Sequence, residues 1–153
     1  VVRIDLVLLL KRSIERFAPL HRDRTIQAHL PVQPLFILGD PLWMELVLEH
    51  FIDHAVEIHT FSTPVDIGIK QYEDPSILLR EARIEIRIKS DLLRQKSGTD
   101  GQFKTWSLTL NLRELDACAA WCRAVLREHG GRMWYEQKAE QEDIVVLALP
   151  LVE

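Results

Sequence analysis

Gly39-Asp40-Pro41-Leu42-Trp43-Met44-Glu45-Leu46-Val47-Leu48-Glu49-His50-Phe51-Ile52-Asp53-His54-Ala55-Val56-Glu57 is the stretch whose reading decides the fold. Asp40 is a residue type whose side chain accepts hydrogen bonds from the first free amides of a helix. Pro41 suits the first helical position, where a missing N–H costs nothing and a fixed φ is already helical. The segment therefore predicts a helix capped at Asp40 and running to about Ile58. His50 and His54 stand four residues apart and so share one face of it.

Working outward, Leu6, Leu9, Leu10, Ile14 and Phe17 form a stripe at helical spacing over Leu6–Phe17, which Pro19 stops. Thr25–Leu30 and Leu35–Leu38 are short β-rich runs separated by prolines, which predicts two strands. Val65–Tyr72 and Ala82–Lys89 alternate apolar and polar residues and read as adjacent antiparallel strands. The chain then turns polar from Ser90 to Lys104, with Ser97-Gly98-Thr99-Asp100-Gly101 as its flexible-looking part. Thr105–Leu110 is a further candidate strand. Leu112–His129 predicts a helix closed by Gly130-Gly131. Arg132–Gln137 and Ile144–Leu151 follow as a strand pair, with the acidic segment Glu136–Asp143 read as a solvated hairpin turn. No internal repeat or domain boundary interrupts the chain. The expected fold class is α/β, with helices on one face of a mixed sheet.

The bulk numbers agree with one soluble globular domain. A chain of 153 residues can bury a full core, and 47% hydrophobic with 27% charged residues is an ordinary globular composition. A net charge of -4 lacks the clustered basic face that nucleic acid would need. The most apolar run, Leu6–Leu10, falls far short of the roughly 20 residues that cross a bilayer. Cys118 and Cys122 are too few for a disulfide framework and suit a reducing cytoplasm. The opening Val1-Val2-Arg3-Ile4-Asp5 reads as mid-protein sequence, so residues 1–153 are expected to be a single domain excised from a longer protein.

The Asp40-Pro41 step and the apolar helix behind it resemble the approach to the asparagine box in the catalytic domain of sensor histidine kinases. Arg3-Ile4-Asp5-Leu6 is similar to that family's entry after its dimerisation helices. Val125-Leu126-Arg127-Glu128-His129-Gly130-Gly131-Arg132-Met133-Trp134 is similar to its helix end and His-Gly-Gly turn, and Leu147-Ala148-Leu149-Pro150 to its closing strand. The resemblance covers essentially the whole chain in one shared order. It implies the GHKL or Bergerat ATPase fold, a two-layer α/β sandwich with a mostly antiparallel sheet. It also implies a bacterial, cytoplasmic setting in two-component signalling.

The residues that carry the family's chemistry depart from its pattern. In the family the two asparagines hold the Mg²⁺ that bridges the triphosphate, and the lysine that follows meets a phosphate. Here His50 and His54 stand at the asparagines and Glu57 at the lysine. Oxygen ligands suit Mg²⁺ and imidazole suits softer metals, and a carboxylate repels polyphosphate. At the first glycine box, Ser90 falls where an aspartate would bind adenine, with Asp91 one position off. Leu92 and Arg94 fall on glycines, and leucine denies the open backbone that glycine allows near a ligand. At the second glycine box stands Asp116-Ala117-Cys118-Ala119, again without glycine. The degenerate pocket thus comprises His50, His54, Glu57, Ser90, Asp91, Leu92 and Cys118, with Trp43 beside it.

These observations lead to an expected function. The chain is read as a degenerate histidine-kinase-like domain, a pseudokinase without ATP, catalytic residues or metal. It would dock on dimerisation helices of its own full-length, dimeric protein or on a response regulator, without nucleic acid or direct membrane contact. Leu92, His54 and Arg94 could fill the emptied pocket. The alternative is a divergent active kinase that binds Mg-ATP through Asp91, with Asp53 or Glu49 on Mg²⁺, and phosphorylates an upstream histidine. A third reading makes His50 and His54 a metal pair with His59 or Asp53 nearby, against the simpler reading of packed histidines. Cys118 and Cys122 read as buried thiols. Ser13, Ser90 and Ser107 lack a nucleophile turn. Among Trp43, Trp106, Trp121 and Trp134, Trp43 and Trp106 are the expected exposed pair.

Overall fold

A computed structural model describes residues 1–17, 25–59, 63–89, 112–139 and 142–153. Strand β1 (Val2–Asp5) leads into helix α1 (Leu6–Phe17). Strands β2 (Ile26–His29) and β3 (Phe36–Gly39) precede helix α2 (Pro41–Ile58). Strands β4 (Val65–Asp74) and β5 (Leu79–Lys89) are followed by helix α3 (Leu112–Glu128), β6 (Arg132–Ala139) and β7 (Glu142–Pro150). The strands form a five-stranded sheet in the order β2-β4-β5-β7-β6, parallel only between β2 and β4, and a separate antiparallel β1-β3 ribbon.

The alternation along β4, β5 and β7 separates two faces of the sheet. Val65, Ile67, Ile69, Ala82, Ile84, Ile86, Ile88, Val145, Leu147 and Leu149 are buried beneath the helices. Met44, Val47, Leu48, Phe51, Ile52, Ala55 and Val56 recur at helical spacing and present the buried stripe of α2 to them. Helix α1 packs beside α2 with Leu6, Leu9, Leu10 and Phe17 buried, and α3 packs on α2 and β6. The expected two-layer α/β arrangement, mostly antiparallel with helices on one face, is the one observed.

The opposite face of the sheet carries charge. Glu81 is buried there, its side chain only 5% exposed, between Arg83 and Arg132. Arg83 Nε donates to Glu81 Oε1 at 2.7 Å and Arg132 Nη2 donates to it at 2.9 Å. The Arg83 guanidinium lies 3.5 Å over the Tyr72 ring and 5.1 Å from that of Trp134. A buried carboxylate is tolerated because both cations and their N–H groups satisfy it.

Helix α2 is tied at both ends by imidazoles. At its start, Asp40 accepts from the Leu42 and Trp43 amides at 2.9 and 3.4 Å. The Asp40 amide in turn donates to His129 Nε2 at 3.0 Å, while His129 Nδ1 donates to the Val125 carbonyl at 2.7 Å. One nitrogen accepts and the other donates, so these partners select the neutral Nδ1–H tautomer. At its end, buried His59 is the reverse case. Its Nε2 donates to the Thr63 carbonyl at 2.6 Å and its Nδ1 accepts from the Lys89 amide at 3.0 Å, joining α2 to the end of β5. Helix α3 closes with a Schellman turn: the Gly131 amide donates to Leu126 O at 2.7 Å and that of Gly130, at φ 73°, to Arg127 O at 2.9 Å.

Several expectations need correction. Val2–Asp5, for which the sequence carried no expectation, is a strand paired with Phe36–Gly39, whereas β2 pairs with β4 in the larger sheet. Glu136–Asp143 is not a solvated turn. β6 continues to Ala139 through a bulge at Gln137/Ala139, β7 begins at Glu142, and Asp143 is buried. The β4–β5 strands run further than their alternation indicates, to a 3₁₀ turn at Pro75–Ile77 that places Leu78 at φ 55°. The candidate strand Thr105–Leu110, Trp106 and the Ser97–Gly101 stretch lie outside the described residues.

Two predictions follow from these ties. Replacing Glu81 by glutamine should destabilise the fold by about 2 kcal/mol, since charge-assisted hydrogen bonds on a buried acceptor weaken together; urea unfolding with an unchanged m-value would measure it. A Cβ at Gly39 would stand 2.2 Å from His129 Cδ2. Gly39→Ala should therefore cost roughly 1–3 kcal/mol by overpacking, and His129→Ala a similar amount by orphaning the Asp40 amide. The double variant should lose less than the sum, because removing the ring removes the clash.

Candidate functional site

The helical period of α2 turns one set of its polar positions away from the core. His50, Asp53 and Glu57 are exposed and His54 is half-buried, whereas their neighbours Phe51, Ile52, Ala55 and Val56 are buried. The structure brings His50 and His54 together as the spacing predicts: their rings stack at 6.3 Å between centroids with an 18° interplanar angle. Trp121 from α3 meets His50 edge-on at 5.3 Å and 70°. Trp43, in the first turn of α2, lies 5.7 Å from Trp121 at 46°. Four rings, Trp43, Trp121, His50 and His54, thus form a continuous ladder along the seam between α2 and α3.

The carboxylates divide between two sides of α2. Glu57 Oε2 lies 4.0 Å from His54 Nδ1. Glu45 and Glu49 instead face α1, where Arg16 forms an ion pair with Glu45 and comes within 3.8 Å of Glu49. Partial burial holds His54 below the ordinary histidine pKa of 6.5; the nearby Glu57 carboxylate opposes this, His50 adds to it and Asp53 opposes it. His54 therefore favours its neutral form.

Other candidates find other places. His59, weighed as a third metal ligand, has both ring nitrogens committed to the Thr63 carbonyl and Lys89 amide. Among the described residues no group of three or more His, Cys, Asp or Glu side chains is placed to hold a metal ion. Cys122 is buried, as expected. Ser13 is buried and donates its hydroxyl to Leu9 O at 3.0 Å, a helix-internal bond. Ser90, Asp91, Leu92 and Arg94 lie outside the described residues, as does the side chain of Cys118. Trp43 is 44% exposed, while Trp121 and Trp134 are partly buried. Trp121 is the participant that the sequence did not single out. Its spacing in α3 marks only a helical position, and nothing local links it to His50. Among the described residues no helix is long and apolar enough to cross a membrane.

No protein-family model matches the sequence, and no curated protein is similar to it by sequence. Solved structures do resemble it. The catalytic domain of histidine kinase ThkA, in a nucleotide-free form, superposes with a TM-score of 0.68 at 16% identity, over 97% of this chain and 94% of that one. The mycobacterial sensor histidine kinase MprB gives 0.64 at 16% identity, over 98% and 97%. The ATP-binding domain of PrrB from Mycobacterium tuberculosis gives 0.67 at 20% identity, over 99% and 98%. With the β2-β4-β5-β7-β6 sheet under the three described helices, these likenesses give the chain the fold of a histidine kinase catalytic domain.

Proposed function

We propose that this chain is a histidine-kinase-like ATPase domain that does not bind Mg-ATP and works as a protein-docking or regulatory module in two-component signalling. Its partner would be the dimerisation helices of its own full-length, dimeric protein or a response regulator. The observation that carries this reading is the ring ladder on the pocket side of α2. On this reading, the family's two Mg²⁺-binding asparagines and its phosphate-binding lysine would fall on this face. Stacked imidazoles and the carboxylate of Glu57 stand there instead. Mg²⁺ takes oxygen ligands in a small octahedral shell, and a carboxylate raises the cost of bringing polyphosphate near. The donor set therefore fits Mg-nucleotide poorly. Glu49, weighed as a substitute metal ligand, is drawn instead toward Arg16 on α1.

Calorimetric titration tests the reading. No heat of binding is expected with Mg-ATP or Mg-ADP up to millimolar concentration. Micromolar binding would overturn it in favour of a divergent, active kinase.

The ladder also sets a pH dependence. His54 should titrate below 6.5 by NMR, because burial disfavours its charged form. The unfolded chain then binds this proton more readily. Stability contributed by neutral His54 is complete above 6.5, and falls as the pH drops through 6.5 toward the folded midpoint. A His54→Gln variant should lose that slope. Glu57→Gln should move the midpoint further down, since it removes the carboxylate that supports protonation.

A further inference from the structure

A groove of about 450 Å³ opens where α2 begins and α3 ends, at the Trp43 end of the ladder. Leu38 of β3, Trp43 of α2, and Trp121 and Val125 of α3 form its walls, and Asp40 and Glu128 supply its charge. Among the described residues no lysine or arginine side chain lines it, and Val1 also borders it. His129 also borders it, with both ring nitrogens engaged as the neutral tautomer. Among the described residues the groove is therefore apolar and aromatic, and its charged side chains are those of Asp40 and Glu128.

Glu128 lies in the last turn of α3, where outward-pointing carbonyls make the potential negative; Arg127 in the same turn offsets this in part, but of the two it is Glu128 that borders the groove. A cation beside it would be favoured by that potential. The indoles add a second, independent preference, because the face of tryptophan is the strongest aromatic partner for a cation. The volume lies in the range that small ligands occupy. The hollow on the opposite face of the sheet makes a useful contrast. It holds about 390 Å³ above Gly68, and its Lys70 and Arg87 are already paired, with Glu85 at 2.9 Å and Glu142 at 2.7 Å. It has no comparable charge preference.

We propose that the Trp43–Trp121 groove is a binding site for a small organic cation, an ammonium carried on an apolar body. The ammonium is held by the two indoles with Asp40 and Glu128, and the apolar body lies along Leu38 and Val125. Because Trp121 also touches His50, occupancy is sensed at the ladder as well as in the groove.

Phenethylammonium and its uncharged isostere phenethyl alcohol provide the test, followed by tryptophan fluorescence and calorimetry at low salt. Saturable binding of the ammonium is expected, about tenfold tighter than the alcohol, the scale of a partly desolvated cation–π contact. The His50 ring resonances should shift along the same isotherm. Glu128→Gln should weaken the ammonium and leave the alcohol unchanged, and Trp43→Leu should weaken both. Both side chains are exposed, so circular dichroism should show the fold retained, and Glu128→Gln stands as the test if Trp43→Leu does not fold. The proposal is overturned by absence of saturation at millimolar ammonium, by equal affinity for the alcohol, or by unchanged binding in Glu128→Gln. It is also overturned if an amphipathic leucine–lysine peptide binds while the free ammonium does not, since the groove would then be a docking surface for a chain.

Discussion

Strand β5 sets the terms for everything around it. It pairs with β4 along one side and β7 along the other, so its register fixes the middle of the sheet. Ala82, Ile84, Ile86 and Ile88 point to the helices, while Glu81, Arg83, Glu85 and Arg87 point away. A slip of one residue would drive the charged set beneath α2 and expose the isoleucines. The pairing of Glu81 with Arg83 and Arg132 reinforces that register from the far side. The seat of α2 is therefore decided before any pocket chemistry is considered.

Because α2 is seated by its buried stripe, its outer face is available for other work. His50, His54 and Glu57 occupy that face, and α3 brings Trp121 against it. Asp40 links the two ends of the design: it caps α2, its amide engages α3 through His129, and its carboxylate lies beside the groove. A ring ladder placed on the helical seam joins that groove to His50 and His54 on the outer face of α2.

The elements that sequence reading recovered are those whose signals are local. Helix α1 matches its stripe from Leu6 to Phe17, and α2 starts where Asp40 and Pro41 place it. The β4–β5 and β6–β7 pairs follow from alternation and proximity. What was missed depends on partners remote in sequence. Val2–Asp5 is too short to announce a strand, and becomes one through Phe36–Gly39. The acidic character of Glu136–Asp143 suggested solvent, but the β5–β7 ladder draws Glu142 and Asp143 into the sheet. In the site, the shared face of His50 and His54 was legible from their four-residue spacing. The approach of Trp121 was not, because it arises from helix packing.

The two imidazole ties have a consequence for how such a sequence can change. His129 and His59 address main-chain groups: the Asp40 amide, the Val125 and Thr63 carbonyls, and the Lys89 amide. Every non-proline residue offers the same amide and carbonyl, whatever its side chain. The joints at the ends of α2 are thus indifferent to the identity of the residues along its outer face. Architecture and pocket chemistry are written in different parts of the helix, and substitutions can accumulate in one while the other is inherited intact.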